Sequence, residues 1–129
     1  MNLLEKLNYA TLCHRLLEMV DNDLLMQAVY DTAAATELFA LSGVGGIKVR
    51  LNPYRKFLNV DDHEHFVHVF ANIMGGRTQA QKKVLSQAMI RTLRGLLPAV
   101  DIISINIRDF EKATYCNVPK LQESESTER

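Results

Sequence analysis

The sequence predicts an α+β domain in which helices cover one face of a mixed sheet. Three observations support this. Apolar residues alternate with period two in "IKVRL", "FVHVFANI" and "DIISINIRDF". Two longer segments, one over residues 22–39 and one between Thr78 and Pro98, place apolar residues at helical spacing. The resulting order of helix, strand, strand, helix, strand is one strand short of a duplicated β-α-β plan. In that plan each helix crosses between parallel strands with right-handed connection.

The missing strand has to lie in residues 1–20, where two readings stand side by side. As a strand, "LNYATLC" turns Tyr9, Thr11 and Cys13 to one face. As a helix, Leu3, Leu7, Ala10, His14 and Leu17 fall on one stripe, and "CHRLLEMV" continues it. The helix predicted over 22–39 has Asn22 or Asp23 as its cap and Leu25, Ala28, Val29, Thr32, Thr36 and Phe39 on its inner stripe. "SGVGG" turns the chain, and 47–51 follows as a half-buried strand with Lys48 and Arg50 on the polar face. Residues 52–65 read as a connection, with an edge strand continuing around Phe57 as an option, and Pro53 is unsuited to a central strand. Residues 66–73 form the next strand, apolar on both faces. Gly75 and Gly76 bend the chain there. Thr78 and Gln81 form a reciprocal capping pair, Leu85, Met89, Leu93 and Leu96 face inward, and Pro98 stops the helix. After the last strand the domain is expected to end at residue 117. Residues 118–129, polar and aperiodic, read as a disordered tail.

Composition narrows the function classes. A chain of 129 residues with 47% hydrophobic content builds one core. Fifteen basic residues balance fifteen acidic ones, which argues against a nucleic-acid or lipid surface. No apolar run reaches membrane-spanning length and no leader pattern is present, so a cytoplasmic protein is expected. Cys13 and Cys116 lack metal spacing and read as idle thiols. His63, His65 and His68 sit near Asp61, Asp62 and Glu64, but without zinc-site spacing, so neither metal nor other cofactor is expected.

Three segments carry a resemblance: "AAATELFALSGVGGIKVR", "DDHEHFVHVFANIMGGRTQAQKK" and "DIISINIRDF". Their order and spacing resemble the tautomerase superfamily, most closely 5-carboxymethyl-2-hydroxymuconate isomerase, over roughly residues 22–117. The resemblance implies a β-α-β-β-α-β subunit assembled as a homotrimer and, by family, a place in aromatic compound catabolism. It implies double-bond isomerisation of an unsaturated hydroxy or oxo dicarboxylate. In that chemistry a neutral N-terminal proline shuttles the proton and arginines hold the carboxylates.

The candidate site residues follow from both lines. Arg77 stands at a strand end, before a helix N-terminus that favours anions. Lys48 stands where the family's strand carries a functional arginine; it keeps the charge and loses the fork. Arg50 is a third candidate for substrate binding, with a structural role as its rival. The chain departs from the family at its start: it begins "MNLLEKLNYATL", and its prolines are Pro53, Pro98 and Pro119. The Met1 amine is the one terminal base on offer. The rival reading is a catalytically silent, trimeric family member that binds small acids or serves as a scaffold.

Overall fold

The computed structural model describes residues 9–39 and 46–127. Four strands form one sheet: β1 (Tyr9–Cys13), β2 (Arg50–Tyr54), β3 (Val67–Met74) and β4 (Ile103–Phe110), in the order β2-β1-β3-β4. β1 runs parallel to β2 and antiparallel to β3, and β3 runs parallel to β4. Helices α1 (His14–Met19), α2 (Asn22–Ala35), α3 (Gln79–Leu96) and α4 (Val118–Thr127), with one 3-10 turn at Val60–Asp62, complete the described elements. The sequence-level fold class therefore holds, and the ambiguous first strand exists.

Both readings of the N-terminal segment were partly right. Residues 9–13 are extended because β1 is bonded on both sides, to β2 and to β3. Its Ala10 and Leu12 are buried in the core. The helical signal takes over at His14, and α1 buries Leu16. α2 is capped by Asp21, whose carboxylate accepts from the Leu24 N–H at 3.1 Å, rather than by Asn22 or Asp23. Asn22 instead closes the preceding helix. Its amide, with the nitrogen turned inward, donates to the carbonyls of Leu17 and Val20 at the end of α1. α2 also ends earlier than residue 39. The Thr36 hydroxyl donates back to Ala33 and Glu37 takes a left-handed φ of 61°, which breaks the helix although Phe39 still packs against the core.

β2 is shifted from the predicted 47–51 to Arg50–Tyr54, because its register is dictated by β1: Tyr9 faces Arg50 and Leu12 faces Pro53. Pro53 is tolerated because β2 is an edge strand. In β3 alone the alternation is complete, with Val67, Val69, Ala71 and Ile73 buried beneath the helices and the intervening residues half-buried on the other face. Two glycines turn the chain into α3. A Cβ on Gly75 would come within 3.1 Å of the Phe110 carbonyl, and Gly76 sits at φ 115°. The capping box of Thr78 and Gln81 is formed in both directions. Thr78→Ala should therefore lower stability by about 1 kcal/mol, measured by urea unfolding, while Thr78→Asp should restore most of it.

α2 and α3 lie side by side on one face of the sheet and are joined by a Thr32–Thr92 hydroxyl contact of 2.8 Å. Leu25, Val29, Leu85, Met89 and Leu93 form the centre of the core against β1 and β3. The stretch read as a disordered tail is helical over Val118–Thr127 and exposed over residues 118–126. Asn117 starts it, accepting from the Lys120 N–H at 2.9 Å.

Candidate functional site

One end of the sheet gathers the sequence-predicted cations. β1 and β2 begin there, and β3 and β4 end there, because β1 and β3 are antiparallel. Arg50 opens β2 across from Tyr9, whose other neighbour is Phe70 of β3. Arg50 and Phe70 are thus two strand spacings apart, about 10 Å. Lys48, half-buried, precedes Arg50 on the approach to the strand. Arg77 follows β3 at the same end. Met1 lies outside the described residues.

Arg77 is held from three sides. Its Nη1 donates to the Met74 carbonyl at 2.7 Å, Nη2 donates to the Leu38 carbonyl, and the guanidinium carbon stands 5.3 Å from the centre of the Phe39 ring. The side chain therefore ties the chain beyond α2 to the end of β3. Two guanidinium nitrogens that a carboxylate would use bidentately are committed to backbone carbonyls. Arg77→Ala should cost about 2 to 3 kcal/mol in urea unfolding, since charge-assisted bonds are lost and two carbonyls lose their donor. Arg77→Lys should recover only part of that, having no fork.

Beside this corner, Lys82 of α3 bonds Asp109 of β4 at 2.6 Å. Further along β3, on the face away from the helices, the His68 Nδ1 lies 2.6 Å from the Ser104 hydroxyl and its ring meets Phe70 edge-on at 4.4 Å. Burial holds this imidazole below the usual histidine value of 6.5. Among the described residues no group of three or more His, Cys, Asp or Glu side chains is arranged to hold a metal ion. No described helix is long and apolar enough to cross a membrane.

A cleft that the sequence did not announce lies at the opposite end of the sheet. It is about 620 Å³ and is lined by Arg15, Glu18, Tyr54, Arg55, Phe57 and Glu64. Its residues come from α1, β2 and the connection after β2, so the only sequence signal was the charge of the N-terminal segment and of residues read as a connection. Met26 and Tyr30 border a smaller cleft with Asp23, Gln27 and Val49.

A family model for 5-carboxymethyl-2-hydroxymuconate isomerase matches residues 7–117. The chain belongs to the 5-carboxymethyl-2-hydroxymuconate isomerase family. The match starts two residues before β1 and runs through Lys48, Arg50 and Arg77. Solved structures share the fold at low identity. One is a 5-carboxymethyl-2-hydroxymuconate isomerase from Deinococcus radiodurans R1, with a TM-score of 0.71, 22% identity, and 86% of this chain and 87% of that chain covered. A 5-carboxymethyl-2-hydroxymuconate delta-isomerase has a TM-score of 0.68 at 14% identity, covering 96% and 97%. A fused 4-OT symmetric trimer has a TM-score of 0.68 at 16% identity, covering 88% and 93%. No curated protein matches. The tautomerase fold and the family are thereby established, and they support an isomerase or tautomerase type of function.

Proposed function

We propose that this family member acts on a small unsaturated hydroxy or oxo dicarboxylate, moving a proton to shift its double bond, at the sheet end where β1 and β2 begin. The observation that carries the reading is the gathering of Lys48, Arg50 and the Arg77 corner at that end, within the stretch the family model matches. Lys48 and Arg50 take the carboxylates as point and fork, respectively. Arg77, committed to two carbonyls, contributes a fixed positive charge and shapes the corner. The Met1 amine serves as the base in this reading. As a primary amine without the preset geometry of a proline ring, it makes a slow catalyst.

A second reading is favoured by a specific observation. No proline precedes Pro53, and the arginine fork at the corner is turned to the backbone. Both features suit a silent member that binds small acids. One experiment separates the two. Muconate at a hundred times its dissociation constant should stabilise the protein by about 2.7 kcal/mol, and Lys48→Ala should weaken that protection. Slow ketonisation of 2-hydroxymuconate then supports the isomerase, and protection without turnover supports the silent binder. Absence of both removes the acid site.

The working unit in this proposal is a homotrimer. Both crossover helices lie on one side of the sheet, and the other side presents half-buried Phe66, His68 and Phe70. Such a face calls for cover, and one solved structure sharing the fold is a symmetric trimer.

A further inference from the structure

The charges of this chain are sorted by helix. Residues 16–47 hold five acidic side chains and no lysine or arginine, while residues 65–100 hold five basic ones and no aspartate or glutamate. α2 lies in the first stretch and α3 in the second. On α3, Lys83, Arg91 and Arg94 are exposed on the side away from buried Leu85, Met89 and Leu93. None of the three makes an ion pair with another described residue. On α2 and just beyond its end, Asp23, Asp31 and Glu37 are exposed. The two helices are antiparallel, because each crosses between parallel strands while β1 and β3 oppose one another. The Thr32–Thr92 contact fixes their relative height. Counted from it along both helices, Asp31 is level with Leu93, between Arg91 and Arg94, and Glu37, just past the end of α2, lies near the level of Gln87, one turn from Lys83.

We propose that this α2–α3 layer docks on the same layer of a second copy, about a two-fold axis parallel to the helices. Such an axis lays each acidic α2 over the other copy's basic α3 at unchanged height, so the surface is its own complement. Asp31 then faces Arg91 and Arg94 of the second copy, beside the shallow cleft of about 300 Å³ that Ile90, Arg91 and Arg94 help to line. A polyanion fits this layer less well. It would meet the acidic half beside the basic one, and the chain as a whole has no net charge to attract it. The contact uses the helix face and leaves the sheet face available, so it stands or falls separately from the trimer and from the dicarboxylate site.

Sedimentation of the full chain at about 20 mM and about 500 mM salt tests the proposal, since the Debye length shrinks several-fold between them. The mass should be about 2-fold higher at low salt. A base-reversed variant (Arg91→Glu with Arg94→Glu) and an acid-reversed variant (Asp31→Lys with Glu37→Lys) should each keep the smaller mass at low salt. Mixing the two should restore the doubled mass, because every mixed contact again opposes unlike charges. Circular dichroism and urea unfolding check that both variants fold; if either does not, the single changes Arg91→Glu and Asp31→Lys take their place. A mass independent of salt, or a mixture that does not reassociate, overturns the proposal. So does heparin binding that depends on Arg91 and Arg94 without any doubling.

Discussion

A variant lacking residues 1–6, with proline in place of Leu7 as its first residue, is expected to ketonise 2-hydroxymuconate at least about 100-fold faster than the natural chain. The family model begins its match at residue 7, and β1 begins at Tyr9. A terminal secondary amine placed there enters the sheet end that holds Arg50 and the Arg77 corner. Positioned general bases contribute about 10² to 10⁴ in rate, most when their pKa lies near ambient pH. The same truncation with alanine in place of Leu7 should gain little. If the proline variant folds, keeps its protection by muconate and yet turns over no faster, the sheet end is not a tautomerase site and the silent-binder reading stands.

The second large effect concerns the uncovered face of the sheet. At about 500 mM salt, where the helix-face contact is screened, Phe70→Lys is expected to reduce the proposed trimer to a single chain of 14.6 kDa at micromolar concentration. Phe70 lies on the side of β3 opposite the buried Val69, next to His68. Covering a phenylalanine gains about 1.5 to 3 kcal/mol per copy, and a lysine there loses this and adds the desolvation of a charge. Phe70→Leu should stay assembled, which separates lost cover from lost folding. A monomeric natural chain, or a Phe70→Lys protein that sediments unchanged, would show that the face is not the interface.

Where the determining interactions are local, they were legible in the sequence. The capping pair Thr78 and Gln81, the stop at Pro98 and the bend at Gly75 and Gly76 all act within a few residues, and α3 has the expected limits. The alternation of β3 and β4 was equally plain, since β3 keeps one side buried and β4 keeps Ile103, Ile105 and Ile107 half-buried between exposed neighbours. α4 was also locally written, in the Asn117 cap, but its polar composition concealed it. The position of the predicted cations at one strand end followed from strand order. Other features had to wait for partners distant in sequence. Whether residues 9–13 became strand or helix was decided by bonding to β2 and β3 on both sides. β2 moved to Arg50–Tyr54 because strand limits are set by the neighbour's ladder rather than by a strand's own alternation. The guanidinium of Arg77 turned to carbonyls because the chain after α2, 39 residues away, delivers the Leu38 oxygen to it. A residue's type and charge are fixed by the sequence, whereas which acceptor reaches a flexible donor is settled only when the tertiary fold brings the two together.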